Sequence, residues 1–435
     1  DRNDPENGRY FDGNREAVIT FRERNFDPAR VSMDLTVEGV RHTDTLDNLM
    51  KTDIVDFQGG DAMDFAWKTD SQSGRELRYY TDDRTDELKV TFKGNASYAI
   101  HSVTITDAAD NSFTAAAGNL VYEDTAAADL APEVFAAPTA TAAAMDFVVD
   151  KVRPVMAVSY PTDIESTTHK AYYFEEMTAT FTVNEHNFDQ SVEAPAFVIT
   201  AKDLAGNTVT ENTVKASSWT SRDDVRTYTI TFRGNANYTY EATYKDLAGN
   251  PLSAPFADAF TVDKSAPETA TVQIHDHGIW HQFLADITFG LFDNQPVLVT
   301  MSGRDGNDGN IGDRTEPAIS PVEPLQYYKS TRMMTWAELE NLPASAWITG
   351  DRLTVNPNQQ FIIYEKVTNY ANLTSYFSSN GMVVDNTKPV PEITITNLSQ
   401  AQNGIFNEDV VLRIDVEDPT AGDTYSGLEE VWYTV

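Results

Sequence analysis

The sequence predicts an all-β chain: tandem β-sandwich domains in an elongated array. Runs rich in β-branched and aromatic residues alternate with polar residues, and the clearest are 225–232, 296–302 and 360–367. Turn signals separate such runs at a spacing of roughly 8–12 residues, which is typical of sandwiches. Two short motifs also recur along the chain, and internal repeats of this kind indicate a series of similar domains.

The first motif is an Asp followed four residues later by a Pro, and it marks the ends of the repeats. It begins at Asp1, Asp150, Asp263 and Asp385. Pro removes a backbone donor, so one sheet ends there before the next domain begins. The 435 residues therefore divide into four predicted domains: 1–149, 150–262, 263–384 and a partial fourth, 385–435.

The second motif, Asp-Leu-Ala-Gly-Asn, occurs at 203–207 and 246–250, with blurred copies at 107–111 and 369–373. We expect its Asp to accept hydrogen bonds from backbone N–H groups two residues on, and its Gly to take a positive φ. Asp246 and Gly249 would then join two strands of a hairpin. The copy at 369–373 lacks the Gly, which leaves that hairpin's geometry open.

The first domain carries two insertions relative to the second, at 41–78 and 114–145. In the first insertion an amphipathic helix capped by Asp44 is predicted, followed by aromatic anchors for a partner. The candidate contact residues are Leu46, Leu49, Met50, Phe57, Phe65 and Trp67. A second interpretation is that these side chains cover the domain's own core. The Ala-rich second insertion fits a hairpin extension, a helical arm or a disordered segment.

The third domain has a Gly-rich loop with the oxygen ligands that calcium prefers. The candidate ligands are Asp305, Asn307, Asp308, Asp313 and Glu316, and a solvated loop without metal is the alternative. A zinc site at His275, His277 and His281 is less favoured than surface histidines. Thr335 and Glu338 form a capping box that predicts a short helix in this domain.

Composition narrows the function. With 32 basic and 67 acidic residues, the net charge of −35 argues against nucleic acid as a partner. No apolar run reaches the length of a membrane span, so we expect no membrane insertion. No nucleophile elbow, zinc-protease motif, phosphate loop or dinucleotide fingerprint occurs, so we expect no enzyme and no cofactor beyond calcium. The absence of Cys favours, weakly, an extracellular place.

Several segments together resemble the bacterial immunoglobulin-like repeats of large surface proteins from gut Firmicutes. They are "YKDLAGN", "FTVDKSAP", "IWHQFLADITFG", "YYKSTRMMTWAEL" and the stretch 362–389. The resemblance covers nearly the whole chain and implies immunoglobulin-like sandwiches. It also implies an extracellular protein of a Gram-positive gut commensal, secreted or attached to the cell wall. Repeats of this family serve as stalks, as adhesive modules, or as binders of host proteins, immunoglobulins among them.

The functional expectation is a non-enzymatic, adhesin-like fragment that binds a host or mucosal protein through the first domain. Two alternatives stay open: a passive stalk that presents another module, and a carbohydrate-binding accessory module of a larger enzyme, with a glycan as the partner. The second would use a shallow aromatic platform, for which Trp67 is the candidate.

Overall fold

The computed structural model consists mainly of β-strands and their connections. The structure describes residues 9–21, 26–52, 55–59, 65–69, 72–73, 76–80, 86–107, 109–116, 145–189, 196–210, 214–216, 220–309, 314–397, 403–406, 409–421, 424 and 426–434. Below, unit 1 is 1–149, unit 2 is 150–262, unit 3 is 263–384 and unit 4 is 385–435. Each sheet draws its strands from a single unit.

Unit 1 contains eleven of the described strands and one short helix. They are β1 (Tyr10–Phe11), β2 (Arg15–Phe21), β3 (Phe26–Val37), β4 (Val40–Thr45), α1 (Leu46–Met50), β5 (Val55–Gly59), β6 (Phe65–Thr69), β7 (Glu76–Tyr80), β8 (Asp86–Phe92), β9 (Ala96–Asp107), β10 (Ser112–Ala116) and β11 (Met145–Val149). One sheet has the order β1-β11-β9-β3-β4 with β10 on β9, and the other has the order β2-β8-β5. Strands β6 and β7 form a separate hairpin.

Unit 2 repeats this plan with shorter connections. Its strands are β12 (Val155–Ser159), β13 (Tyr172–Tyr173), β14 (Met177–Asn184), β15 (Ala196–Lys202), β16 (Val214–Ala216), β17 (Thr220–Arg222), β18 (Val225–Phe232), β19 (Ala236–Thr243) and β20 (Phe256–Val262). The sheets are β12-β14-β18-β16, with β17 on β18, and β13-β20-β19-β15. Both sheets contribute to one buried core. The strict alternation of buried and exposed residues along β14 shows why this sequence forms a half-buried strand.

Unit 3 contains strands β21 (Thr269–Ile274), β22 (Gly278–Trp280), β23 (Phe289–Asp293), β24 (Val297–Arg304), β25 (Asn307–Asp308), β26 (Thr315–Glu316), β27 (Gln326–Ser330), β28 (Ile348–Thr349), β29 (Arg352–Val355), β30 (Gln359–Thr368), β31 (Thr374–Ser378) and β32 (Gly381–Val384). Its helices are α2 (Trp336–Glu340) and a 3-10 turn (Ala344–Ala346). The main sheets are β22-β21-β24-β29 and β23-β32-β30-β27-β28, with β31 on β30. Unit 4 contributes the hairpin of β33 (Val390–Ile395) and β34 (Leu412–Glu417).

A repeated aromatic arrangement explains why the segments "VTFKGNASY" and "ITFRGNANY" recur. In unit 2 the rings of Phe232 and Phe260 meet edge to face, with centroids 4.8 Å apart, and Phe232 meets Tyr238 at 4.9 Å. The Tyr238 hydroxyl donates to the carbonyl oxygen of Gly234 at 3.0 Å, which satisfies its polar end inside the core. Unit 1 repeats these contacts with Phe92, Gly94, Tyr98 and Phe147.

The predicted all-β sandwich array and both helical insertions are confirmed. Helix α1 lies in the first insertion, but Thr45 and not Asp44 is its N-cap: the Thr45 side chain accepts the N–H of Asn48. Asp44 instead accepts from the N–H of Thr45 and the side chain of Asn48. The reason is that β4 continues through Thr45, so the last extended residue precedes the helix directly. Helix α2 has the predicted capping box.

Candidate metal and junction site

Three acidic side chains meet where unit 1 joins unit 2. Asp150 follows β11 and begins the linker, Glu185 follows β14, and Asp246 follows β19. One carboxylate oxygen from each lies within 4.8 Å of the others, and the residues are 4%, 4% and 2% exposed. We call Asp150, Glu185 and Asp246 the carboxylate cluster. The linker Asp thus comes from one motif and Asp246 from the other, so the two recurring motifs meet in space.

The turn that carries Asp246 has the predicted role and the predicted hydrogen bond, with further bonds from Asn250. It joins β19 to β20, and Gly249 has a φ of +84°. The carboxylate of Asp246 accepts the backbone N–H of Ala248, two residues on, as expected. It also accepts the backbone N–H and the side-chain amide of Asn250, at 2.8 and 2.9 Å. The copies at 107–111 and 203–207 form the same ring.

In the turn at 369–373, Asn372 takes the positive φ that Gly206 and Gly249 take in the two intact copies of the motif. Asn372 has a φ of +66°, and Asn tolerates this left-handed region better than most residues. The side-chain oxygen of Asn369 accepts the N–H of Leu373 at 3.0 Å, and strands β30 and β31 pair on either side. The hairpin geometry is therefore kept without the glycine.

The carboxylate cluster is crowded with negative charge. Burial raises the pKa of Glu185 to about 7, and the neighbouring Asp150 and Asp246 add to the shift. Burial likewise raises the pKa of Asp246 to about 6, although the hydrogen bonds from Asn250 oppose the effect. Asp150 and Glu185 also line a cleft of about 410 Å³ between the units, whose other walls include Glu38, Asn95 and Asp224.

Junction 2, where unit 2 joins unit 3, places Asp263, Asp305 and Asn369 together. The side-chain amide of Asn369 donates to Asp263 Oδ2 at 2.9 Å and to Asp305 Oδ1 at 3.3 Å. Ser320 Oγ donates to Asp263 Oδ2 at 2.5 Å, and the N–H groups of Ile319 and Ser320 donate to Asp305 Oδ2. Burial, with the neighbouring Asp305, raises the pKa of Asp263. Here an amide occupies the turn position that Asp246 holds in unit 2.

Junction 3 brings together the corresponding acids of units 3 and 4. Asp385 Oδ2 accepts the N–H of Ser426 at 2.9 Å, and Asp418 Oδ2 accepts the N–H of Gly427 at 2.7 Å. Asp418 Oδ1 is buried without a hydrogen-bond partner among the described residues. A linker Asp beside an acid of the following unit is thus common to all three junctions.

The structure separates the predicted contact residues of unit 1. Leu46 and Leu49 are buried in the unit 1 core, at 0% and 2% exposure, so they face away from any partner, as the core interpretation expected. Met50 is 38% exposed on the other side of α1. The side chains of Phe57, Phe65 and Trp67 lie outside the described residues, as do residues 117–144 of the second insertion.

The predicted calcium loop does not bring its ligands to one point within the described residues. Asp305 is turned into junction 2, and the amide of Asn307 donates to Glu268 at 2.7 Å. Asp308 lies 3.6 Å from Arg304, and Glu316 pairs with Arg314. Asp313 lies outside the described residues. The loop folds as the hairpin of β25 and β26, because its polar side chains bond to neighbours and not to a common centre.

The three histidines each find a separate partner. His275 lies 3.2 Å from Thr300 Oγ1, His277 lies 2.9 Å from Asp293, and His281 lies 3.4 Å from Thr271 Oγ1. In the described part of the chain, the group of metal-binding side chains that converges is the carboxylate cluster. Sequence reasoning missed it because the motifs containing Asp150 and Asp246 were interpreted as domain boundaries and turns, and Glu185 lies in neither motif.

No protein-family model and no curated protein matches the chain. FdeC, described as a broadly conserved Escherichia coli adhesin, is 12% identical with a TM-score of 0.26, over 85% of this chain and 92% of that one. The N-terminal part of the bacterial S-layer protein SbsC is 16% identical with a TM-score of 0.17, over 54% of this chain and 44% of that one. A marsupial T cell receptor is 10% identical with a TM-score of 0.17, over 85% of this chain and 97% of that one.

Likeness at these identities and TM-scores carries no argument about function. The fold assignment rests on the sheets, their registers and the buried cores described above. Within the described ranges, no helix has the length and apolar character that a membrane span requires.

Proposed function

We propose that this chain is a stiff, non-enzymatic spacer segment of an extracellular bacterial surface protein. The observation that carries the proposal is that the first two linkers are each held to the preceding unit by the same contacts. Lys151 donates from Nζ to the carbonyl oxygen of Lys93 at 2.6 Å and from its backbone N–H to Asn95 at 3.0 Å. Lys264 repeats both contacts, with Arg233 at 2.6 Å and Asn235 at 3.1 Å.

Short linkers with fixed ends restrict rotation between domains. The linkers run only from β11 to β12 and from β20 to β21, and each contains a proline, Pro154 or Pro267. Proline has a fixed φ, so fewer backbone angles remain free. A chain of sandwiches joined in this way holds a distant module away from its point of attachment, as a stalk does.

Unit 2 also contacts unit 3 directly. The ring of His169 stacks on that of Tyr370, with centroids 3.7 Å apart and an interplanar angle of 6°, and its Nε2 lies 2.7 Å from Glu323. Backbone and side-chain donors of unit 2, Leu204 and Asn237, reach carbonyl oxygens of unit 3 at 2.8 and 2.9 Å. These contacts oppose bending at junction 2.

Small-angle scattering on the full chain tests the proposal. We expect the scattering of a long particle, with a maximum dimension that stays constant across salt concentrations. The double variant His169→Ala and Lys264→Ala should scatter as a more flexible particle, while Lys202→Ala, an exposed position in unit 2, should match the parent. A compact or freely jointed parent would refute the spacer function.

A second candidate function is recognition of a host or mucosal protein, immunoglobulins among the candidates, by unit 1. Its support is that unit 1 carries β4, α1 and the β6–β7 hairpin, for which the described residues of unit 2 show no counterpart. Exposed apolar side chains in unit 1 include Val40 on β4, Met50 on α1 and Phe113 on β10. Apolar anchors of this kind contribute strongly to protein interfaces.

Capture from mucosal secretions tests this second function. A protein retained by the parent and lost with the double variant Met50→Asp and Phe113→Asp would support it. Val198→Asp, at an exposed apolar position of unit 2, is the matched control and should retain the protein. Equal capture by all three chains, or by none, would reject recognition by this surface.

A further inference from the structure

A loop of unit 2 reaches unit 3 and is closed by its own hydrogen bonds. It runs from 160 to 171, between β12 and β13. The Glu165 carboxylate accepts the N–H of Ala171 at 2.8 Å, and the N–H of Ser166 donates to the carbonyl oxygen of Tyr172 at 2.7 Å. Ala171 has a φ of +61°, a conformation that persists in a residue with a side chain only when its surroundings fix it. The tip of the loop therefore has a defined position.

Three successive residues at this tip contact one turn of unit 3. Thr168 Oγ1 donates to the side-chain oxygen of Asn372 at 2.7 Å, and Asn372 Nδ2 donates to Thr167 Oγ1 at 2.8 Å. The ring of His169 lies flat against that of Tyr370 in the same turn. The loop thus places an imidazole at the boundary between the two units.

Two neighbours of the His169 ring favour a positive charge on it. Glu323 Oε1 lies 2.7 Å from Nε2, and a hydrogen bond between these groups is stronger when the imidazole is protonated. The Tyr370 ring lies parallel with its centroid 3.7 Å away, and a cation is attracted to such an aromatic face. The side chains of His169 and Glu323 are 28% and 35% exposed, so water and salt screen the pair only in part.

The other groups around His169 leave this preference in place. Lys170 follows it in the sequence, but the Lys170 ammonium pairs with Glu165 at 2.9 Å. Tyr172 meets the imidazole edge to face, with ring centroids 6.1 Å apart. Imidazole is the side chain that ordinarily gains its proton between pH 8 and pH 5. A change of pH within this range therefore changes the contact between the units.

We propose that the contact of His169 with Glu323 and Tyr370 is a pH-sensitive lock between units 2 and 3. The lock rests on the proposed spacer function, since it regulates the stiffness of one of the spacer's joints. Near pH 5.5 a charged imidazole holds the loop against unit 3, while Glu carboxylates remain ionised. Near pH 8 the neutral ring retains its stacking but loses the ion pair, so junction 2 opens more often. The chain is stiffest in mildly acidic surroundings.

Distances between spin labels on units 2 and 3 of the full chain test the proposal. The chain contains no Cys, so the double variant Glu241→Cys and Thr354→Cys, at exposed strand positions, takes one label in each unit. We expect a narrow distance distribution at pH 5.5 and a second, broader component at pH 8. The ratio of closed to open forms should fall about fivefold between the two pH values, as expected for a partly exposed ion pair.

Three variants of the labelled chain assign the effect. His169→Gln removes the titrating group and should abolish the pH response. Glu323→Gln removes the neighbouring negative charge and should abolish most of it. His186→Gln is the matched control, because this imidazole also lies beside an acid, Asp224 at 3.0 Å, but in the cleft between units 1 and 2. The control should respond to pH as the parent does.

The outcomes that would overturn the lock differ from those that would refute the spacer. A pH response that survives His169→Gln overturns the lock and assigns the effect to another group, such as Asp263, whose pKa is raised by burial. A narrow distribution of the parent at both pH values also overturns the lock but leaves the stiff spacer intact. A broad distribution of the parent at both pH values rejects the lock and the stiff spacer together.

Discussion

The side-chain amide of Asn369 donates a 2.9 Å hydrogen bond to Oδ2 of Asp263, although the two residues lie 106 positions apart in the sequence. Asp263 is the first residue of the linker that follows unit 2, and Asn369 opens a turn in unit 3. The bond therefore ties the linker to the unit that follows it. The same amide also reaches Asp305, so a single Asn holds two buried acids together.

The change Asn369→Asp should destabilise unit 3. It replaces the shared donor by a third carboxylate, and we expect a loss of about 3 kcal/mol in the free energy of unfolding from unpaired buried charge. Calorimetry of the full chain, with hydrogen exchange to locate the unit affected, measures the loss.

Asn294→Asp adds the same charge at an exposed turn of unit 3 and should leave stability nearly unchanged. Equal effects of the two variants would mean that net charge, and not the position of Asn369, sets the stability of junction 2.

Glu365 makes unit 3 less stable as the pH rises. The residue is fully buried beside Tyr327 and Phe377, and neither of its carboxylate oxygens has a hydrogen-bond partner among the described residues. Burial raises its pKa from 4.5 to about 9. The folded chain thus keeps a proton that the unfolded chain loses above its lower pKa. The contribution of Glu365 to stability is therefore greatest below pH 4.5 and falls by about 1.4 kcal/mol per pH unit towards pH 9.

Replacing Glu365 by an apolar residue should remove that slope. Four residues before the turn motif, where unit 3 has Glu365, unit 1 has Val103 and unit 2 has Ala242, both buried. We expect Glu365→Val to raise the unfolding temperature of unit 3 at pH 7–8. Between pH 5 and 8 the variant should lack the part of the pH dependence that Glu365 causes. Glu365→Gln should also remove this dependence of stability on pH, but it should not raise the unfolding temperature as Glu365→Val does. A parent whose stability does not fall over this range would show that the carboxyl finds a partner.

The two neighbours Leu49 and Met50 should respond differently to truncation. Leu49→Ala opens a cavity in the unit 1 core and should cost about 2–5 kcal/mol of unfolding free energy. Met50→Ala removes a partly exposed side chain and should cost under about 0.5 kcal/mol. Denaturant unfolding of both variants and the parent measures the two losses in unfolding free energy. Similar losses would mean that α1 packs through both residues.

Thr335→Ala should weaken the start of α2. The side chain of Thr335 accepts the N–H of Glu338, while Glu338 accepts the N–H of Thr335 at 2.7 Å. Losing this reciprocal cap should cost about 1 kcal/mol. Hydrogen exchange across 335–341 measures the fraying, and Thr331→Ala, an exposed position just before the helix, should leave protection as in the parent.

The sequence was informative wherever structure depends on near neighbours. The alternating run of β18 and the β-branched and aromatic run of β30 predicted strands, because both signals depend on the strand's own residues. The turn at Asp246 and the cap at Thr335 were visible for the same reason, since their hydrogen bonds close within four residues. The N-cap of α1 was assigned one residue too early, because the extension of β4 through Thr45 depends on its partner β3.

The candidate site could not be predicted in this way. Asp150, Glu185 and Asp246 lie far apart in the sequence, and only the tertiary fold of unit 2, with the linker that opens it, places their oxygens within 4.8 Å. The burial of Leu46 and Leu49 and the diversion of Asp305 into junction 2 have the same origin. By itself the sequence determined the β-strands, the turns and the order of the repeats, since these depend on local backbone preferences and side-chain alternation. The tertiary structure alone decided which acids converge and which apolar residues are buried, because burial and charge repulsion depend on contacts between distant segments.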